Sequence, residues 1–231
     1  MSNRVLFILG AGPKIGFSVA QAFAANGYKV ALASRSIEDG MREDGLFGVN
    51  LDLTKPEMVE SAFEKVEKQF GVPSVVVYNA ALRNALEADD PLSGIDLDQV
   101  QQEWAVNVTS ALFSAKYAVR GFKRLPESAS KTFIFTGNKL NTFISPAVTT
   151  FAMGKTAIAQ LIRNASVAYR KQGIKFYYAD ERRPDGGPVV PVSGSAAAVA
   201  YTKLAEEKEQ GPWDYTFIDG IGYHDFKETA A

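Results

Sequence analysis

The sequence predicts an α/β fold built on a doubly wound parallel sheet. Two observations carry this. Short apolar runs alternate with longer amphipathic ones along the 231 residues. The first apolar run also leads directly into a glycine-rich turn that opens a helix.

The elements follow in order. "RVLFILG" (4–10) is near-continuously apolar, as in a parallel strand covered on both faces. "FSVAQAFAANG" follows as a helix, with Gly27 at its C-terminal cap. "YKVALASR" and "LFGVNLDL" are the next strands. "KPEMVESAFEKVEKQFG" is a helix with Pro56 at its start and Gly71 at its end. "PSVVVYNAA" is the fourth strand, and "IDLDQVQQEWAVNVTSALFSAKYAVRGF" carries helical spacing. "KTFIFTG" is the fifth strand. "SPAVTTFAMGKTAIAQLIRNASVAYRKQG" reads as a long helix entered by a loop. "IKFYYAD" and "WDYTFIDG" complete about seven strands. Residues 182–195 read as irregular, and "KLAEEKEQG" as a solvated helix end. Right-handed crossovers then give one domain over 1–231.

Composition narrows the chemistry. Formal net charge is -1, from 25 basic and 26 acidic side chains, which favours neither nucleic acid nor an anionic membrane. Cysteine is absent, so thiol nucleophiles and thiolate metal sites are excluded. His224 is the single histidine, which argues against a histidine triad or a histidine-rich metal site, and it reads as a surface residue. No apolar stretch is long enough to span a bilayer, and "MSNRVLFILGAG" is too short in its apolar run for a signal peptide. The expected compartment is the cytoplasm.

"LGAGPKIGFSVA" joins the first strand to the first helix. Gly10, Gly12 and Gly16 let the backbone turn tightly and approach a pyrophosphate. The helix N-terminus offers free N–H groups and the positive end of its dipole. This is the arrangement of a Rossmann-like dinucleotide site. The second strand ends in "ALASRS", so Arg35 stands where an NAD-preferring site carries a carboxylate. A guanidinium holds a phosphate bidentately, and Lys14 offers a second cation, so NADP(H) is expected over NAD(H).

These motifs together resemble the short-chain dehydrogenase/reductase family along nearly the whole chain. "GAGPKIG" resembles its glycine motif, with Leu9 for a threonine and Lys14 at the middle glycine. "LDLT" resembles the adenine-contacting segment at Asp52, and "YNAA" resembles its NNAG, matching at Asn79 and Ala80. "WAVNVTS" resembles the helix with the active-site asparagine, at Asn107, and "FIDG" the closing strand. The resemblance implies hydride transfer between nicotinamide and a carbonyl or alcohol. The implied cofactor set is Gly10, Gly12, Lys14, Ile15, Gly16, Arg35, Asp52, Leu53, Asn79, Ala80 and Lys155. The implied catalytic set is Asn107, Asn138 and Lys155. It also implies a homodimer or homotetramer and an unidentified small-molecule substrate.

The departures fall on the reacting end. Lys155 matches the family lysine, but Phe151 stands at the tyrosine and Asn138 at the serine thirteen residues before it. Phenylalanine cannot donate a proton. "DERR" replaces the Pro-Gly pair after the sixth strand. Three readings follow: an NADP(H)-dependent reductase of a carbonyl or enone with a substitute acid, a cofactor-binding sensor or interaction module, or a non-redox enzyme. For the first, Lys155, a water or a displaced tyrosine would serve as the acid, and Tyr78, Tyr177 and Tyr178 stand at or near strand ends, where ligands bind in such sheets. Asp180, Glu181, Arg182 and Arg183 form a charged cluster beside the expected nicotinamide end, read as surface ion pairs, with contact to substrate or to the cofactor amide as the alternative.

Overall fold

The computed structural model describes residues 4–226. Its centre is one nine-stranded sheet in the order β3-β4-β2-β1-β5-β6-β7-β8-β9. The parallel strands are β1 (Val5–Leu9), β2 (Lys29–Ser34), β4 (Phe47–Asn50), β5 (Val75–Tyr78), β6 (Thr132–Thr136), β7 (Lys175–Glu181) and β8 (Asp214–Ile218). The seven expected strands are thus present. Two further strands, β3 (Gly40–Met41) and β9 (Gly222–Tyr223), pair antiparallel at the two edges. At two residues each, they carry too short an alternation to be read from sequence.

The helices are α1 (Ile15–Ala25), α2 (Met58–Phe70), α3 (Leu97–Trp104), α4 (Ser110–Phe122), α5 (Thr149–Ala168) and α6 (Gly194–Glu206). Helices α1 and α6 cover one face of the sheet, and α2, α4 and α5 the other. Every residue of β1 is fully buried, because both faces of that strand meet helices. Each large side chain so buried contributes about 1.5–3 kcal/mol. Helix α2 stops at Gly71, whose φ of 89° is a left-handed conformation suited to glycine.

Two elements differ from the sequence reading. The long 95–122 helix is two helices joined by a wide π-helical turn over Ala105–Thr109, which turns Asn107 inward. Helix α6 begins within the segment read as irregular. Ser193 caps it, its hydroxyl accepting from the Ala196 N–H at 3.1 Å. Its alanine-rich start lacks a polar face and so carries little helical periodicity.

Strand order reverses between β1 and β5, and ligands of such sheets bind outside the C-terminal strand ends at that point. No helix among the described residues is long and apolar enough to cross a membrane.

Candidate active site

A cavity of about 670 Å³ opens at the C-terminal ends of β5, β6 and β7. The glycine loop (Gly12, Lys14, Ile15) and Asn79 form one end. Asn138, Phe151, Lys155, Asp180, Glu181 and Tyr201 form the other. Val189, Val190 and Val192, from the loop before α6, supply an apolar flank.

The glycine loop is built for close approach. Gly10 has φ +85°, and a Cβ there would lie 2.3 Å from the Ala80 backbone nitrogen. A Cβ on Gly16 would lie 2.8 Å from the Ala11 Cα, so only glycine lets the helix sit this near the strand. At Gly12 an added Cβ meets nothing within 4 Å, because that face is open to the cavity. Helix α1 begins with no side-chain cap and no acidic residue in its first turn. Its leading N–H groups and dipole therefore suit an external anion. These features fit the pyrophosphate of a dinucleotide.

Beyond the loop, Asn79 Nδ2 donates to the Gly10 carbonyl at 2.8 Å, and Asn79 Oδ1 accepts from Thr136 Oγ1 at 3.0 Å. Thr136 Oγ1 in turn accepts from the Tyr201 hydroxyl at 2.9 Å. One chain of hydrogen bonds thus ties the ends of β1, β5 and β6 to α6. Sequence reasoning missed Tyr201, which reaches the site only because α6 packs across the sheet.

Arg35 and Asp52 lie at the ends of neighbouring strands. Arg35 is exposed. Asp52 Oδ1 accepts from the Thr54 N–H at 3.0 Å and its hydroxyl at 2.8 Å. Burial opposes ionisation of Asp52, but the Thr54 bonds and the Lys55 and Arg35 charges outweigh it and hold the carboxyl below its ordinary range. The Leu53 side chain is in the core, and its carbonyl accepts from Ser110 Oγ at 2.7 Å. Ala80 packs beside Gly10.

At the reacting end, Lys155 and Phe151 project from one side of α5, and both are buried. Lys155 Nζ donates to the Thr136 carbonyl at 2.8 Å and lies 4.6 Å from the centroid of the Phe135 ring. Burial pushes this ammonium down to about 8, against the pull of the Asp180 charge. Asn138 lines the cavity, with Oδ1 accepting from the Leu140 N–H at 3.1 Å. Its backbone is gripped by the Tyr178 hydroxyl, which donates to its carbonyl at 2.8 Å and accepts from its N–H at 3.2 Å.

Asn107 has both side-chain groups committed to Leu82. Nδ2 donates to the Leu82 carbonyl at 2.7 Å, and Oδ1 accepts from its N–H at 2.9 Å. It braces the segment after β5 and is not among the residues lining the cavity. Tyr78, Tyr177 and Tyr178 do not line it either. The Tyr78 hydroxyl donates to the Val106 carbonyl at 2.5 Å and that of Tyr177 to the Glu209 carbonyl at 3.3 Å. Burial raises all three phenols above their ordinary range.

The charged run after β7 corrects the sequence reading. Only Arg183 forms a surface pair, with Asp185 at 2.9 Å. Asp180 and Arg182 are a buried pair at 2.5 Å, 1% and 7% exposed in their side chains. Alternation along β7 turns residues 180 and 182 to one side of the strand, where neighbouring elements enclose them. Burial pushes the Asp180 carboxyl up to about 7 despite Arg182. Glu181, on the opposite side, accepts from the Ser193 N–H at 2.7 Å and anchors the loop before α6. His224 is exposed, as expected, with its backbone paired to Thr216.

Comparisons with known proteins agree with this architecture. A family model described as Enoyl-(Acyl carrier protein) reductase matches residues 10–178. A short chain dehydrogenase/reductase of Cryptosporiopsis sp. (strain 8999), dmxR12, is 42% identical over 98% of this chain and 96% of its own length. Galactitol 2-dehydrogenase of Agrobacterium fabrum is 27% identical over 75% of this chain and 68% of its own. The crystal structure of NADH-dependent reductase A1-R′ complexed with NAD superposes with a TM-score of 0.74 at 21% identity, over 88% of this chain and 89% of that one, a likeness of fold. With the family model spanning most of the chain and a relative aligned over nearly all of it, the protein belongs to the short-chain dehydrogenase/reductase family.

Proposed function

We propose that this protein is an NADP(H)-dependent oxidoreductase that reduces a small carbonyl or enone without the tyrosine acid of its family. One observation carries the reading: the glycine loop, Asn138 and Lys155 line a single cavity, so cofactor-holding and substrate-holding groups share one enclosed space.

The glycine loop and the start of α1 hold the pyrophosphate. Arg35 and Lys14 attract a ribose phosphate, and Asp52 and Leu53 border the adenine. Asn79, Ala80 and Lys155 hold the nicotinamide half, with the Lys155 ammonium bonding ribose hydroxyls. A nicotinamide dinucleotide held by these residues would supply or accept the hydride. Asn138 offers its Nδ2 hydrogens to a substrate oxygen, but an amide is no practical acid. Phe151 contributes only an apolar wall. The valine-bearing loop supplies an apolar flank to the substrate end.

Phe151 also favours a second reading, a dinucleotide-binding sensor without turnover. The experiment is a titration with NADPH and NADH followed by nicotinamide fluorescence, then NADPH oxidation across a panel of ketones and enones. Tighter NADPH binding with turnover supports the reductase. Binding without turnover on any compound favours the sensor, and absence of binding by either dinucleotide removes both readings.

A further inference from the structure

We propose that Asp180 is the proton donor of this site, standing in for the absent tyrosine; the inference rests on the reductase reading above. Asp180 lines the same cavity as Phe151, Lys155 and Asn138. It is buried, and only one of its oxygens is used. Oδ2 accepts from Arg182 Nε at 2.5 Å, while Oδ1 has no hydrogen-bond partner among the described residues. A buried carboxyl oxygen without a partner is costly as an anion. It is satisfied when it carries a proton, and donation to a bound oxygen requires the carboxyl to turn from its enclosed position toward the cavity. Phe151 cannot donate a proton, Asn138 is no acid, and Tyr78, Tyr177 and Tyr178 lie outside the cavity. Of the other proton-bearing groups that line it, the Tyr201 hydroxyl already donates to Thr136 Oγ1 and burial drives it above its ordinary range, and the Lys155 ammonium donates to the Thr136 carbonyl.

The surroundings suit an acid that must also leave a stable base. Asp180 faces Arg182 and Tyr178 on its own strand, Lys155 on α5, Tyr201 on α6 and Asp214 on β8. Burial and Asp214 favour the protonated form, whereas Arg182 and Lys155 favour the carboxylate. These opposed influences hold the group near neutrality, where a general acid is most effective. The neighbouring phenols are driven further from ionisation by the Asp180 charge.

The step balances. A ketone that takes a hydride at carbon from a reduced nicotinamide dinucleotide needs one proton at oxygen. The Asp180 O–H bond breaks as the alcohol O–H bond forms. The products are an alcohol, the oxidised dinucleotide and the Asp180 carboxylate, which a solvent proton resets.

The test compares wild type, Asp180→Asn, Phe151→Tyr and the double variant with NADPH and the ketone and enone panel. NADPH binding and thermal melting are read on each. On the compound turned over best, Asp180→Asn is expected to lower kcat by about 10²–10⁴-fold, the usual contribution of a general acid. NADPH affinity should be retained, and the fall in rate above neutral pH should disappear. In the Phe151→Tyr background the same change should cost less than about tenfold, because the restored phenol supplies the proton. A merely structural role for the Asp180–Arg182 pair would cost the same in both backgrounds. Should Asp180→Asn fail to fold, infrared titration of the wild type decides: a carboxylic-acid carbonyl band persisting to near pH 7 supports the assignment, and its absence above pH 5 overturns it. Turnover that survives Asp180→Asn with an unchanged pH profile overturns the inference while leaving the reductase reading intact. No turnover by wild type or by Phe151→Tyr overturns both.

Discussion

Lys155 and Phe151 stand one turn apart on α5, and the Lys155 ammonium lies 5.4 Å from the centroid of the Phe151 ring. An ammonium that would lower the acidity constant of a phenol here faces a ring with no proton to give. Cofactor-holding and proton-donating roles, which the family resemblance assigns to one pair of side chains, are separated in the function proposed for this protein.

Phe151→Tyr, combined with Asn138→Ser, should create or raise carbonyl reductase activity. The new hydroxyl would stand beside the buried ammonium, whose charge stabilises a phenolate. In the Asp180→Asn background a gain of about 10²-fold or more is expected from a restored general acid, and with Asp180 in place the gain should be smaller. The assay is NADPH oxidation on the same ketone panel. An unchanged rate would mean that the new hydroxyl cannot reach the substrate oxygen.

Gly10→Ala and Gly12→Ala should separate folding from binding. At Gly10 the methyl would strike the Ala80 backbone in a left-handed conformation, and overpacking of this kind costs about 1–3 kcal/mol before strain is added. At Gly12 the methyl meets no protein atom and projects into open space. Thermal melting should therefore fall clearly for Gly10→Ala and little for Gly12→Ala. NADPH titration should show weakened binding for both.

Arg35→Ala should narrow the preference for NADPH over NADH. Loss of a charged hydrogen bond to phosphate costs about 1.5–3 kcal/mol, felt by NADPH alone. Fluorescence titrations of both dinucleotides at one ionic strength check this. An equal loss for both would assign Arg35 to another part of the cofactor.

Arg182→Met strands a buried carboxylate only above about pH 7; at and below neutrality the carboxyl keeps its proton, and the cost should be that of the lost hydrogen bond, about 1–3 kcal/mol by thermal melting. The wild type itself should show the pH signature of Asp180, whose carboxyl rises from 3.8 to about 7 on folding. Between those values the folded state holds a proton that the unfolded chain has released. Asp180 therefore stabilises the fold at low pH, and that contribution is lost as pH rises toward 7. Melting curves across this range should show the wild type losing stability relative to Asp180→Asn as pH rises from about 4 toward 7.

Much of the architecture was legible because its causes are local. Apolar runs became β1, β5 and β6, since a parallel strand covered on both faces has no polar side to hide. The four-residue spacing of Phe151 and Lys155 set them on one side of a helix in any context. The glycine loop was legible for the same reason: Gly10 and Gly16 are dictated by chain neighbours and one adjacent strand.

What the tertiary structure alone decided depends on residues far apart in the chain. Whether "DERR" was surface or interior turned on what packs around β7, and Asp180 with Arg182 proved buried while Arg183 did not. Tyr201 enters the site through α6, sixty-five positions from its partner Thr136. Asn107 sits in the π-helical turn, committed to the Leu82 backbone and not lining the cavity. Sequence by itself determined the sheet, the phosphate loop and the missing phenol. Only folding determined which carboxyl group is enclosed beside Lys155, because desolvation is a property of everything that surrounds a group rather than of its own stretch of chain.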